Sequence, residues 1–227
     1  MNSPNPEKLS PTKVRREREK EQRRVDIIDA AEKLFLTQGF ESTTMKQIAN
    51  EAEYSKGTLY NYYKSKDELY IAIGINAYSL IIKYTQEFID KEQPGIKQLM
   101  AVGYAYYKFS KDYPKYASIF HDIALKLPNI ISKPKNQLSK IEREYLDLSN
   151  TYRDLFVNIL SDAIKSKAIR VDQSPSMIGY VLSTITRGIV EDLMHSKDRV
   201  KKIFKLEPDD VINFTFELIA EGLKPRE

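Results

Sequence analysis

The sequence contains no cysteine. This absence excludes a disulfide framework, a thiolate metal site and a cysteine nucleophile. It also suits a reducing compartment, so we expect a cytoplasmic protein. Glycine is scarce, at 8 of 227 residues, and no glycine-rich phosphate-binding loop is present.

Long apolar runs are missing as well. The longest uncharged runs, such as residues 69–82, are too short to cross a bilayer, which takes about 20 apolar residues. The N-terminus lacks the apolar core of a signal peptide. We therefore expect a soluble protein that does not insert into membranes. With 41% hydrophobic residues, the chain can still bury a sizeable core.

Positive charge is concentrated in the N-terminal quarter. Residues 8–66 hold 13 Lys and Arg against 9 Asp and Glu, whereas residues 67–227 hold 23 against 22. Such a local surplus attracts phosphate. For the densely charged segment 13–24, two alternatives stay open. One is a solvated helical extension with Glu–Lys/Arg pairs, and the other is a basic arm that reaches along DNA into a minor groove.

The segment 44–69 has the pattern of two short helices joined by a tight turn. Thr44 followed by Gln47 is a capping-box signature, and Ser55 is a natural N-cap for a second helix, residues 56–63. This layout is typical of a helix-turn-helix. The second helix carries hydroxyls, an amine and an amide, which suit a DNA major groove. An ordinary surface hairpin would carry similar residues merely because they are solvated.

From Ile27 to Leu69 the chain resembles the DNA-binding domain of the tetracycline-repressor (TetR, AcrR-like) family, without a gap. The matching positions are Ile27, Ile28, Ala30, Ala31, Leu34, Phe35, Gly39, Phe40, Thr43, Thr44, Ile48, Ala49, Ala52, Ser55, Gly57, Leu59, Tyr60, Tyr63, Ser65, Lys66 and Leu69. Three positions depart from the family pattern. Glu53 and Tyr54 replace the usual Gly and Val in the turn, and Tyr62 replaces the usual His. Because a left-handed Glu costs about 1 kcal/mol, we expect a slightly reshaped turn.

The resemblance implies a sequence-specific DNA-binding regulator of transcription. It most often implies a repressor that a small effector releases from a palindromic operator, although activators also occur. Carried over by position, the residues expected to hold phosphates are Thr44, Lys56, Gly57, Tyr60 and Lys66. Those expected to meet base edges or further phosphates are Ser55, Thr58, Asn61 and Tyr62.

No segment alternates with the period of a strand, so the fold is predicted to be all-α with about nine helices. We predict a disordered, basic N-terminal arm (residues 1–22), with the first full helix beginning near Arg23. A three-helix helix-turn-helix domain (23–70) follows, and then a larger helical domain (71–227) for effector binding and dimerisation. A long helix over residues 66–91 would connect the last two.

Aromatic residues crowd the C-terminal domain. Tyrosine suits a pocket for an amphipathic molecule, although the same rings could simply fill a helical core. Because the resemblance implies an effector domain, we predict a hydrophobic or aromatic effector. The predicted pocket residues are Tyr106, Phe109, Tyr116, Phe120, Tyr152, Phe156 and Ile185.

The last two long helices carry apolar stripes that could belong to the core alone. The resemblance implies that they form a four-helix interface in a homodimer, which would face a pseudo-palindromic DNA site. The predicted interface residues are Ile178, Val181, Leu182, Ile185, Ile189, Leu193, Val211, Ile212, Thr215 and Ile219.

Two other classes of function compete with this interpretation. An enzyme is not expected, because His121 and His195 lie in apolar helical contexts without metal-ligand spacing and no nucleophile elbow is present. Neither a metal nor another cofactor is expected. A helical module that binds proteins is the second alternative. It would show no salt-dependent affinity for duplex DNA, and it would leave Lys56, Tyr60 and Lys66 without a role.

Overall fold

A computed structural model describes residues 10–126, 129–170 and 172–225. In these ranges every regular element is helical, and nine helices are longer than a single turn, which confirms the all-α prediction. They are α1 (Pro11–Gln38), α2 (Met45–Glu51), α3 (Lys56–Tyr62), α4 (Lys66–Ile89), α5 (Ile96–Asp112), α6 (Pro114–Lys126), α8 (Lys140–Lys165), α9 (Pro175–Arg199) and α10 (Pro208–Leu223), with the single turn α7 (Asn129–Ser132), a 3₁₀ turn (Lys135–Gln137) and a π-helical segment (Val200–Phe204).

The chain divides into two compact units. The N-terminal unit is Met1–Ile73 and the C-terminal unit is Gly74–Glu227, so the division falls within α4. None of the helices among the described residues has both the length and the apolarity that crossing a membrane requires.

Helix α1 begins at Pro11, well before the expected start near Arg23. The Ser10 hydroxyl accepts a hydrogen bond from the Lys13 amide (3.4 Å), and proline at the first helical position loses no hydrogen bond. Residues 11–22 are therefore helical, and the prediction of a disordered arm is wrong for them. The remainder of that predicted arm, residues 1–9, lies outside the described residues.

The N-terminal unit is built on a small core to which every one of its helices contributes. Its fully buried side chains include Ile27, Ile48, Leu59 and Leu69, each 0% exposed. Three rings close one side of this core: Phe35 and Phe40 lie 5.2 Å apart between centroids, and Tyr70 lies 5.5 and 4.9 Å from them. This packing fixes α2 and α3 against α1 and the first turns of α4.

The turn between α2 and α3 contains a left-handed residue, Glu53, with φ of 59°. The Tyr54 amide donates to the Ala49 carbonyl (2.9 Å) and the Glu53 amide to the Asn50 carbonyl (3.1 Å). These two bonds form the Schellman arrangement that normally favours glycine at the left-handed position. The turn thus keeps its left-handed backbone without a glycine.

The C-terminal unit packs α5 against α8, α9 and α10 in two connected clusters. One cluster contains Leu99, Leu160, Ala163 and Leu182, and the other contains Tyr107, Val190, Leu193, Ile212 and Phe216. The close-packed Gly103 of α5 permits the second cluster, because a Cβ atom there would lie 2.5 Å from the ring of Phe216.

Candidate DNA-binding and effector sites

Helix α3 has one buried apolar side and one exposed polar side. Leu59 is 0% exposed, and Tyr63 at the end of the helix is 2% exposed. These two residues anchor the helix, while Lys56, Tyr60 and Asn61 are exposed. Of the predicted DNA-contacting residues of α3, Thr58 and Tyr62 are half-buried, and the others face solvent.

Two of the predicted DNA residues also cap helices. The Ser55 hydroxyl accepts from the Thr58 amide at 3.0 Å, at the start of α3. Thr44 forms the predicted capping box: its amide donates to Gln47 Oε1 (2.8 Å), and its hydroxyl accepts from the Gln47 amide (3.2 Å). Ser55 and Thr44 are exposed, so both retain access to a ligand.

The two predicted phosphate lysines differ in their surroundings. Lys56 is exposed, with its ammonium 5.7 Å from the Tyr60 ring centroid. Lys66 instead donates to the carbonyls of Phe40 (2.7 Å) and Glu41 (3.2 Å). Its ammonium therefore ties the start of α4 to the residues that follow α1, a structural role that the sequence does not reveal.

Gly57 adds no side chain to the start of α3. A Cβ atom there would meet only the Ser55 hydroxyl oxygen, at 3.8 Å, so the position is open toward solvent. Two exposed lysines lie beside the predicted positions and were not predicted: Lys46 in the first turn of α2, and Lys64 just after α3. The charge pattern alone could have indicated both.

The turn residue Tyr54 is hydrogen-bonded to α1. The Tyr54 hydroxyl donates to Asp26 Oδ2 at 2.6 Å, and this hydrogen bond raises the pKa of the phenol. The same bond, together with one from Gln22, lowers the pKa of the Asp26 carboxyl by stabilising its ionised form. The charge of Arg23 opposes the rise in the pKa of Tyr54, and Tyr62 adds to it.

A cavity of about 440 Å³ lies within the C-terminal unit. Four of the seven predicted pocket residues line it: Tyr106, Phe120, Tyr152 and Phe156. The other three lie elsewhere. Phe109 is 0% exposed in the core, Tyr116 packs beside Tyr113 with ring centroids 6.5 Å apart, and Ile185 is 41% exposed to solvent.

One wall of the cavity is a cluster of aromatic rings around Tyr78. The ring centroid of Tyr78 lies 4.7 Å from Phe120, 5.4 Å from Tyr145 and 6.1 Å from Tyr152. Its hydroxyl accepts from Ser149 at 3.2 Å. Tyr78 was not predicted, because in the sequence it lies in the apolar run of α4 like a core residue.

The cavity wall is electrically asymmetric. Arg153 and Arg187 belong to it, and no Asp or Glu is among the residues that line it in the described chain. Burial raises the pKa of Tyr106 to about 12, with a further rise from Glu191 and an opposing effect from Arg187. Burial likewise raises the pKa of Tyr152. These phenols stay neutral at physiological pH. Arg187 supplies positive charge to the wall, whereas Arg153 pairs with Asp154 at 3.0 Å.

The predicted dimer residues divide into buried and exposed groups. Leu182, Leu193 and Ile212 are 9%, 2% and 1% exposed and belong to the core, so their placement at an interface is corrected. Val181 and Ile185 are 42% and 41% exposed. The remaining predicted residues, Ile178, Ile189, Val211, Thr215 and Ile219, are half-buried.

An apolar stripe does face solvent, and only two of its six members, Val181 and Ile185, were predicted. It consists of Met177, Tyr180, Val181 and Ile185 on α9 and Phe214 and Leu218 on α10, with exposures between 41% and 70%. We call these six residues the exposed stripe. Gly188 continues it on α9, where an added Cβ would meet nothing within 4 Å. The other four members were not predicted, because both sides of these helices are apolar and the sequence does not indicate which side faces the core.

The histidines show no catalytic arrangement in the described chain. His195 Nδ1 donates to the Glu191 carbonyl of its own helix at 2.8 Å, and its ring is exposed. The side chain of His121 lies outside the described residues.

A family model described as bacterial regulatory proteins, tetR family, matches residues 27–73. Over 49 residues, which are 22% of this chain and 21% of the relative, the sequence is 51% identical to the HTH-type transcriptional regulator HbdR of Aromatoleum sp. (strain CIB). It is 25% identical over 166 residues to the uncharacterized HTH-type transcriptional regulator YhgD of Bacillus subtilis (strain 168), covering 73% of this chain and 81% of the relative. These relatives are named as regulators of transcription.

A solved structure shares the whole fold. The transcriptional regulator FadR from Bacillus subtilis, in complex with stearoyl-CoA, matches with a TM-score of 0.65 over 88% of this chain and 98% of that chain. At 18% identity this likeness concerns the fold. It extends the similarity from the helix-turn-helix to the helices of the C-terminal unit.

Proposed function

Because this chain belongs to the tetR family of bacterial regulatory proteins, we propose that it acts in the cytoplasm as a homodimeric transcriptional repressor. It is a helix-turn-helix regulator that binds DNA. In the proposal, two copies bind a pseudo-palindromic operator, and a small amphipathic effector releases them. A TetR-like activator is the alternative, and a helical module that binds only proteins is the more distant one.

The observation that carries the DNA part is the two-sided character of α3. Leu59 buries the apolar side of this helix in the core, so the exposed side can enter a groove of DNA. That side presents an amine, a phenol and an amide within two helical turns: Lys56, Tyr60 and Asn61. A helix of this kind reads base edges in the major groove while neighbouring groups hold phosphates.

The homodimer rests on the exposed stripe. Six large apolar side chains on two consecutive helices form a patch of a kind that usually marks a protein interface. A second copy of the same stripe is a self-complementary partner, since a two-fold interface brings the same surface of both subunits together. Two-fold symmetry would place the two copies of α3 one helical turn of DNA apart, or a multiple of it.

The effector is proposed from the cavity. Its volume lies in the range of small-molecule sites, and its wall is mostly apolar and aromatic. Arg187 lines the cavity without a lining carboxylate in the described chain, and Arg153 pairs with Asp154 at 3.0 Å. Arg187 favours a ligand with an acidic group, because a guanidinium pairs well with carboxylates and phosphates. An apolar or aromatic acid, free or as a thioester of coenzyme A, has this chemistry. Stearoyl-CoA, the ligand in the FadR structure, is therefore the first probe.

Selection from a random pool of duplexes tests the proposal. We expect an enriched palindromic motif, since two copies of α3 would read the two half-sites. Tyr60→Ala and Lys56→Gln should weaken binding to all sequences, whereas Asn61→Ala should alter the preferred bases, a loss of about 1–3 kcal/mol of discrimination. His195→Gln is the control, because that exposed residue is in the other unit.

Each outcome of the selection has a clear meaning. If no duplex is enriched at low or at high salt, with or without stearoyl-CoA, the DNA-binding proposal fails and a protein-interaction module gains support. Transcription from a promoter that carries the motif then separates repressor from activator. A repressor lowers transcription when the protein is present, and an activator raises it.

A further inference from the structure

The positive charge of the N-terminal unit resides in the first half of α1, outside the helix-turn-helix. Residues 10–24 hold seven Lys or Arg against three Glu, a balance of +4. Residues 25–73 hold five Lys against eight Asp or Glu, a balance of −3. Duplex DNA carries one negative charge per about 1.7 Å of its axis. The N-terminal unit beyond the first half of α1 therefore adds no net positive charge with which to attract DNA.

The first half of α1 is an ordered helix that packing does not explain. Only Val14 is even partly buried among residues 10–24, so this segment contributes almost nothing to the core. It is nevertheless continuous with the rest of α1 and has a capped start at Ser10. At 1.5 Å per residue, residues 11–24 extend about 20 Å, roughly the length of six base pairs.

The basic segment begins where α1 meets the helix-turn-helix. Asp26 accepts the hydrogen bond from the Tyr54 hydroxyl at 2.6 Å. Arg23 lies one helical turn before Asp26 on α1. Arg23 is therefore one helical turn away from the contact between α1 and the turn that precedes α3.

Arginines continue along this side toward the N-terminus. Arg15 Nε donates to Glu19 at 2.8 Å. The hydrogen bond and charge of Arg15 lower the pKa of Glu19 most, and the charges of Arg23 and Arg16 lower it further. Residues 15, 19 and 23 are spaced by about one helical turn, and residue 16 lies about two turns before residue 23. These spacings keep all four side chains on one side of the helix. We call Arg15, Arg16 and Arg23 the arginine row.

From this arrangement we propose that the arginine row is a second DNA-binding surface, which holds backbone phosphates beside the base pairs that α3 reads. The partner is the sugar–phosphate backbone, so this surface adds affinity and salt dependence but no sequence preference. The proposal rests on the proposed function, because it requires that α3 bind an operator. Lys66 donates to two carbonyls and is therefore less available to a phosphate. The proposal assigns such phosphate contacts to the first half of α1.

The test measures the affinity of the full chain for its selected operator as a function of salt. The first variant replaces the arginine row by glutamine, which is a good helix former. Its substitutions are Arg15→Gln, Arg16→Gln and Arg23→Gln. In the control, Lys97→Gln, Lys140→Gln and Lys165→Gln remove the same charge from exposed positions of the C-terminal unit. Both variants are checked for unchanged helix content by circular dichroism.

We expect the first variant to bind at least tenfold more weakly at low salt than the control. The slope of log K against log[salt] should fall by about 0.9 for each phosphate that the variant no longer neutralises. On a duplex shortened to the base pairs of the selected motif, the wild-type chain should no longer bind more tightly than the first variant. A second variant, Glu17→Gln with Glu21→Gln, raises the charge of the segment and should bind more tightly.

The outcomes separate this inference from the proposed function. If the first variant and the control have the same slope and affinity, the arginine row does not bind DNA and the inference is overturned, while operator binding by α3 stands. If the wild-type chain enriches no operator, the proposed function itself fails. Uniform loss across all sequences is expected for the first variant, and a changed motif would contradict a backbone contact.

Discussion

At the scale of single residues, Glu53 is placed where its backbone is strained. Its φ of 59° lies in the left-handed region, which costs a residue with a Cβ about 1 kcal/mol or more relative to glycine. No glycine is available in this turn, so the chain accepts the cost between its two DNA-binding helices. The Tyr54–Asp26 hydrogen bond offsets part of it, since that bond ties the turn to α1.

Replacing Glu53 with glycine should therefore stabilise the protein. We expect Glu53→Gly to increase the free energy of unfolding by about 1 kcal/mol in a urea titration. Glu53→Ala is the matched control: it removes the carboxylate but keeps the Cβ atom, and it should leave stability nearly unchanged. Equal stabilisation by both variants would mean that charge, and not backbone strain, is the cause.

The structural roles of some residues could be predicted from the sequence, and those of others could not. The capping box of Thr44 and Gln47 and the cap at Ser55 follow from local spacing, because each bond joins residues three positions apart. The position of Lys66 could not be predicted in this way. Its carbonyl partners, Phe40 and Glu41, are more than twenty positions away, and only the folded core brings them within hydrogen-bond distance.

At the scale of helices, α9 and α10 show why the predicted interface includes residues of the core. Helical periodicity identifies an apolar stripe but not its partner. On α9, Leu182 and Leu193 face the core while Met177, Tyr180 and Val181 face solvent. Both sets have helical spacing, so the sequence does not distinguish an internal contact from an external one. The fold resolves this by supplying the internal partners.

The exposed stripe then predicts how the oligomeric state responds to charge. Phe214→Glu with Leu218→Glu should convert a dimer into a monomer, because each carboxylate would be desolvated at an interface without a partner. These side chains are 60% and 58% exposed within the chain, so the fold of the subunit should be unaffected. Sedimentation gives the mass, and circular dichroism gives the helix content.

A matched pair of substitutions controls for the added charge. Asn150→Glu with Asn158→Glu places two carboxylates on exposed positions of α8, outside the exposed stripe, and should leave the mass unchanged. A wild-type chain that sediments as a monomer at micromolar concentration would refute the homodimer directly. Loss of the dimer in both variants would point to charge repulsion in general.

At the scale of the whole molecule, the question is how a cavity in one unit could control DNA binding by the other. The two units share the continuous helix α4, within which their boundary falls. If the effector binds more tightly to the form that does not bind DNA, it shifts the population toward that form. The size of the shift is set by the difference between the two effector affinities, and not by effector affinity itself.

Thermodynamic linkage makes this mechanism quantitative. Stearoyl-CoA should lower operator affinity by a factor of about 5–150, and the operator should lower stearoyl-CoA affinity by the same factor. Arg187→Gln should weaken stearoyl-CoA binding because the cavity loses a guanidinium. It should leave operator affinity unchanged when no effector is present, whereas Lys56→Gln should weaken operator binding and leave stearoyl-CoA binding unchanged. Calorimetry and fluorescence anisotropy measure both affinities. An operator affinity that saturating stearoyl-CoA leaves unchanged would contradict this mechanism for that ligand.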